Sequence, residues 1–181
     1  ELAEAIRGTA ANDVIVLPNN PNVRLTSIQA GELCPDVNVE VVATRNAGEG
    51  VAAMLAFDAD LGLRDAAKSM AHAARNIQTL ETTAAVRDAR IGRHKVRRGE
   101  YIVLNAGDGL LATDRDRTTA IKSAMRRLKP GFELVTIYRG QNVDHDAGEE
   151  LRQALGTELP DVDIELVDGG QPHYDFLISA E

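Results

Sequence analysis

Two short runs, Val14-Ile15-Val16-Leu17 and Val37 to Val42, constrain the fold of this chain more than any other feature. The first is continuously apolar and the second is rich in valine. Short apolar runs of this kind are the signature of strands buried on both faces of a sheet. Each ends in a polar turn, Pro18-Asn19-Asn20-Pro21-Asn22 after the first and Thr44-Arg45-Asn46-Ala47-Gly48 after the second. Leu2, Ala5 and Ile6 give a helical stripe ahead of the first run, ended by Gly8. Between the runs, Leu25, Ile28, Gln29 and Leu33 carry a helical period. Helices are expected again from about Gly50 to Phe57 and from Leu63 to about Asn76. Strand, turn, helix, strand, turn, helix is the βαβ order of a parallel sheet.

The second half changes character. Thr79 to Val86 is rich in Thr and Val, and Tyr101-Ile102-Val103-Leu104 and Leu110-Leu111-Ala112 flank a turn at Asn105-Ala106-Gly107-Asp108-Gly109. Asp114 is expected to cap a helix carrying Ile121, Ala124, Met125 and Leu128, stopped by Pro130-Gly131. Leu134 to Tyr138 reads as a strand, Ala147 to Leu159 as a helix and Val162 to Val167 as a further strand. The expected fold is α/β and two-lobed: a parallel βαβ lobe over residues 1–78, then a mixed-sheet α/β lobe over 79–181.

Length and composition exclude several classes. With 181 residues, 44% hydrophobic and 27% charged, the chain has the make-up of a globular protein with real cores. Cys34 stands alone, which excludes an intramolecular disulfide and fits a reducing cytoplasm. No apolar run approaches the ~20 residues of a membrane span and no signal peptide is evident. The opening at Glu1, without an initiator Met and within a helical pattern, suggests a piece of a longer protein.

The net charge of −8 disfavours nucleic acid, yet the charge is uneven. Residues 87 to 129 hold twelve of the twenty Lys and Arg but five of the twenty-eight acids, so this stretch carries +7 and the remainder −15. Such asymmetry marks either a face for an acidic partner or a solvated hairpin and basic helix face. Arg126 and Arg127, off the Ile121-Met125-Leu128 stripe, are expected to be free cations of that face.

Three turns collect groups able to hold a carboxyl or phosphate. Asn19, Asn20 and Asn22 follow the first strand, and Thr44 and Arg45 follow the second. Each turn leads into a helix N-terminus, whose free N–H groups favour an anion. The third is Gly169-Gly-Gln-Pro-His-Tyr174, where Gln171, His173 and Tyr174 precede the strand-like Phe176-Leu177-Ile178. Helix capping and ordinary hairpin chemistry are the competing explanations. The four histidines lack the spacing of a zinc site, and His72, between two alanines, reads as a packed helix residue. Gly48-Glu49-Gly50 lacks the Lys and Ser/Thr of a phosphate loop, and no metal ligands or catalytic set is evident.

With these motifs in view, the chain resembles the C-terminal domain of the bacterial fatty-acid kinase large subunit, of the dihydroxyacetone-kinase-like family. The resemblance rests on Val14-Ile-Val-Leu-Pro-Asn-Asn20, on Val42-Ala-Thr-Arg45 and on Gly50-Val-Ala-Ala-Met-Leu-Ala-Phe57. It continues through Thr83-Ala-Ala-Val-Arg-Asp88, Arg98-Gly-Glu-Tyr-Ile102, Leu134-Val-Thr-Ile-Tyr138 and Gly169-Gly-Gln-Pro-His-Tyr174, closing on Ile178-Ser-Ala-Glu181. Arg45 stands where the family commonly has Lys, and His173 where an apolar residue is usual.

The resemblance implies a DegV-like fold of two α/β lobes with a cleft between them. It also implies a division of labour. ATP and Mg²⁺ belong to an N-terminal kinase domain outside this chain, so no cofactor is expected here. A DegV-like fatty-acid-binding protein presents its cargo for phosphorylation to an acyl phosphate used in phospholipid synthesis, and this region is implicated in recognising that partner. The family pattern normally begins upstream with a further Gly-Gly-Gln-Thr strand, so the first lobe is expected to be truncated. The candidate ligand- or partner-binding residues are Asn19, Asn20, Asn22, Thr44, Arg45, Thr83, Arg87, Gln171, His173 and Tyr174, with the three turns expected to converge on the cleft. The alternative reading is a stand-alone lipid- or small-ligand-binding module with a carboxylate site in that cleft; an enzyme in its own right is the third.

Overall fold

The structure, a computed structural model, describes residues 1–105 and 109–181. The centre of the turn read at 105–109 lies outside the described residues. Contacts divide the chain into two compact units, Glu1–Ile77 and Gln78–Glu181.

In the first unit, strands β1 (Asp13–Val16) and β2 (Asn38–Val41) pair in parallel, Val14 opposite Val39 and Val16 opposite Val41. Helix α1 (Leu2–Gly8) and helix α2 (Arg24–Glu32) lie on one face. There Ile6, Ala30 and Cys34 are buried against Val14, Val16, Val37 and Val39. Helices α3 (Ala47–Leu55) and α4 (Leu63–Asn76) cover the other face, where Val42, Ala53, Ala67, Met70 and Ala74 meet Ile15 and Leu17. The βαβ reading is therefore realised. The apolar residues of β1 are only half-buried, however, because its sheet has two strands among the described residues and each keeps an unpaired edge. The helix expected from Gly50 begins at Ala47, since Asn46 caps it. His72 lies on α4 as read, but exposed, with its ring nitrogen 2.9 Å from the Asn76 amide one turn on.

The second unit is built on a six-stranded mixed sheet. Its strands are β3 (Gln78–Ala84), β6 (Tyr101–Asn105), β7 (Gly109–Asp114), β8 (Leu134–Arg139), β9 (Asp163–Asp168) and β10 (Phe176–Ala180), in the order β7-β6-β3-β10-β8-β9. β8 and β9 run in parallel and the other pairs are antiparallel. Two short strands, β4 (Ala89–Ile91) and β5 (His94–Val96), form a separate hairpin. Helices α5 (Arg117–Met125) and α6 (His145–Glu158) pack on the face where Leu80, Val103, Val135, Ile137, Phe176 and Ile178 are buried. The last strand of the chain is thus threaded into the middle of the sheet, which is why all five of its residues are buried.

One expected cap moves. Asp114 ends β7, and its carboxylate accepts the Asp116 N–H at 2.9 Å. Asp116 caps α5, accepting from the Thr119 N–H at 2.8 Å. Both aspartates precede the same helix, and the ladder of β7, running to its Asp114–Tyr101 pair, decides between them.

Candidate functional site

In the first unit the turns after β1 and β2 are brought together. The backbone N–H of Asn19 donates to the Thr44 hydroxyl oxygen at 3.0 Å, and Thr44 is buried. Asn19 adopts a left-handed backbone, φ 52°, a conformation that Asn tolerates better than most residues. Its carboxamide then lies so close to the Gly50 Cα that a Cβ there would collide with the Asn19 Oδ1. Gly50 is therefore required by this close approach rather than by any phosphate.

The charge in this turn is already met. Glu49 is 2% exposed, and its carboxylate accepts from the Arg45 backbone N–H and from the Arg45 Nε, each at 2.7 Å. A second guanidinium nitrogen of Arg45 lies 2.6 Å from the same carboxylate. The Glu49 N–H in turn donates to Asn46 Oδ1 at 2.9 Å. Thus the anion that the N-terminus of α3 favours is supplied from within the helix's own first turn. Sequence reasoning missed both Glu49 and Asn46. The available signal was the spacing Asn46-Ala-Gly-Glu49, that of a capping box. Asn20 and Asn22 stay in their own turn, where the Asn22 N–H donates to Asn20 Oδ1 at 2.9 Å and both residues are exposed.

In the second unit the Gly169–Tyr174 segment lies over the end of β8. Gln171 donates through its amide nitrogen to the Tyr138 carbonyl at 2.8 Å, and its backbone carbonyl accepts the Gln141 N–H at 3.1 Å. Gly140 allows this approach, for a Cβ there would collide with the Tyr174 carbonyl. Gln171 is thus a clamp on the fold. Burial and the neighbouring Glu81 carboxylate raise the Tyr174 phenol above its ordinary pKa. Beyond it, Asp175 pairs with Arg117 at 3.3 Å, and Arg117 lies over the rings of Phe176 and Tyr101 at 4.9 and 5.7 Å. His173 is exposed. Thr83 is half-buried on β3 opposite Ile102, and Arg87 is exposed beyond the end of that strand. Glu81, Arg117 and Gly140 were legible only once the pairing of β3 with β10 was known.

The first unit also holds an apolar groove of about 400 Å³ beside β1, lined by Ile15, Leu17, Met54, Phe57, Leu61 and Met70. Among the described residues no cluster of three or more His, Cys, Asp or Glu could hold a metal ion, and no helix is long and apolar enough to cross a membrane.

Comparison with known proteins decides the family. The model of the FakA-like C-terminal family, the C-terminal region of fatty acid kinase proteins of the A type, matches residues 1–181. The chain belongs to that family. A protein from Staphylococcus haemolyticus is 29% identical over 181 residues, and one from Staphylococcus epidermidis is 27% identical over 182. In both cases the whole chain is matched but only 33% of the relative, so this sequence spans about a third of the length of the curated relatives.

Solved structures give the fold. The Streptococcus pneumoniae Fatty Acid Kinase B3 protein, loaded with linoleic acid, superposes with a TM-score of 0.67 at 14% identity. The match covers 100% of this chain and 76% of that one. A DegV family protein from Corynebacterium glutamicum gives a TM-score of 0.69 at 17% identity, covering 99% and 79%. A fatty-acid-binding DegV family protein from Thermus thermophilus gives 0.65 at 15%, covering 99% and 75%. The fold of this fatty-acid-kinase-related domain is DegV-like.

Proposed function

We propose that this domain is the partner-docking part of a fatty-acid kinase. In that reading the ATP- and Mg²⁺-binding domain lies in the remainder of the parent chain. A DegV-like fatty-acid-binding protein is the partner, and the assembly phosphorylates the fatty acid to an acyl phosphate. The observation that carries the reading is the Arg45–Glu49 pair. The domain has the fold of proteins that carry fatty acids, yet the cation of its strand-end turn is held by its own buried carboxylate. A fatty-acid headgroup at that turn would have to displace Glu49 and leave its charge unpaired in a buried place, which is costly. A DegV-like domain with this turn closed is better suited to meeting a carrier than to being one.

The test is co-purification of this domain with the DegV-like protein encoded in the same genome, alongside mass spectrometry for retained lipid. A complex with no stoichiometric lipid in this domain is the expected result. Absence of association, with fatty acid retained by the domain alone, would overturn the reading. Calorimetry should detect no micromolar binding of Mg-ATP to the domain. The second reading, a lipid-binding module, is favoured by one observation, the apolar groove beside β1. Retained lipid lost on Phe57→Asp would establish it.

A further inference from the structure

Residues 85–100 form an arm that leaves the main sheet. Past the Ala84–Tyr101 pair, the β3–β6 ladder continues from the Ala85 N–H to the Glu100 carbonyl and from the Gly99 N–H to the Ala85 carbonyl, each 2.8 Å. The neighbouring strands do not follow: β10 reaches β3 only as far as Thr82, and β7 reaches β6 only as far as Tyr101. Beyond that point, among the described residues, β4 and β5 pair only with each other.

The arm carries Arg87, Arg90, Arg93, Lys95, Arg97 and Arg98, all exposed. Its one acid between 87 and 98, Asp88, is engaged by the Arg98 backbone N–H at 2.8 Å. Arg90 stands directly opposite Lys95 in the ladder, a like-charge pair that weakens a two-stranded hairpin. None of the six cations is ion-paired with a described residue.

Elsewhere in the basic stretch the side chains are engaged. Arg117 pairs with Asp175, Lys122 and Arg126 pair with Glu158, and Arg127 donates to the Leu111 carbonyl. The expectation that Arg126 and Arg127 are free is thereby corrected: both hold the second unit together, and the unmet charge lies in the arm.

We propose that the arm is a docking arm for a carboxylate-rich surface on a protein partner, an inference that rests on the partner-docking reading above. Five of its six cations are Arg, whose planar guanidinium takes carboxylates through two parallel hydrogen bonds. Arg is enriched at protein interfaces and Lys depleted. An anionic bilayer presents a plane of negative charge, which would repel the rest of this chain, −15 outside the basic stretch. A local acidic patch on a protein meets the arm without that opposition.

The decisive variant is Arg90→Glu/Lys95→Glu, exposed positions whose change spares the buried Val96. Association with the DegV-like protein is measured over a salt series, with polyglutamate and phosphatidylglycerol vesicles as separate probes. The native chain should associate fast at low salt and slow steeply as salt rises. The variant should associate about tenfold more slowly with most of the salt slope gone, and its thermal midpoint should be unchanged. Equal rates and slopes for native and variant chains would overturn the proposal. So would arm-dependent binding to vesicles alone, or arm-dependent self-association in sedimentation. Arm-dependent binding to polyglutamate without any to the DegV-like protein would uphold the arm and sink the partner assignment. Binding to neither would sink both.

Discussion

Glu49 shows how much a single charged side chain settles in the first unit. Its carboxylate satisfies an N–H and a guanidinium of Arg45 while its own N–H is held by Asn46. These are hydrogen bonds to an ionised group, of a kind that contributes roughly 1.5–3 kcal/mol each to stability. Glu49→Gln keeps the shape and removes the charge, so it is expected to destabilise the first unit by about 2 kcal/mol. Arg45→Ala should cost a similar amount, since it strands the carboxylate. Urea denaturation of both variants checks this. Unchanged midpoints would mean that the pair is surface ornament and that Arg45 is free for a ligand. Thr82 offers the converse case in the second unit. Its hydroxyl is fully buried and has no hydrogen-bond partner among the described residues. Thr82→Val removes an unmet polar group at nearly constant shape and should raise stability by about 1 kcal/mol.

At the scale of elements, the two candidate caps of α5 make a sharp comparison. Hydrogen bonds from Thr119 hold the Asp116 carboxyl below the ordinary aspartate value of 3.8. Its folded pKa is depressed, so the cap's contribution is present above the unfolded value and is lost as pH falls through the folded one. Asp116→Ala should cost about 1 kcal/mol at neutral pH and much less in acid, whereas Asp114→Ala should not show the same acid convergence. Identical pH profiles for the two variants would count against the assignment.

The aspartate pair also shows what was legible. Periodicity revealed that α5 exists and which face it buries, through Ala120, Ile121, Ala124 and Met125. Its starting residue depended on where the β7 ladder stops, which is a long-range matter. The same limit governed the site. The turns at Asn19 and Thr44 could be read as strand ends, but not that the Asn19 carboxamide lies on Gly50. Gln171 could be read as a turn residue, but not that β10 enters the middle of the sheet and carries Tyr174 toward Glu81. Local patterning is written in adjacent residues, whereas these contacts join segments far apart in sequence.

Across the whole molecule, apolar burial is unevenly shared. The second unit buries fifteen side chains in one cluster on a six-stranded sheet, while the first has clusters of five and three around two strands. Nine of the eleven large exposed hydrophobics among the described residues also belong to the first unit, including Leu25, Leu33, Met54, Leu55 and Phe57. Two-stranded sheets with unpaired edges are marginal in water, and regions with few buried apolar contacts open at lower free energy than cores do. Hydrogen exchange on the intact chain should therefore divide it. Amides in β3, β8 and β10, each flanked by strands on both sides, should exchange last. Those in β1 and β2 should exchange earlier, and those of the arm's β4 and β5 earliest, because that hairpin is exposed and carries Arg90 against Lys95. A DegV-like protein bound through the arm should slow exchange in β4 and β5 specifically and leave β3, β8 and β10 unaltered. Uniform protection across both units would contradict the division, and slowing confined to the first unit on binding would place the partner elsewhere than the arm.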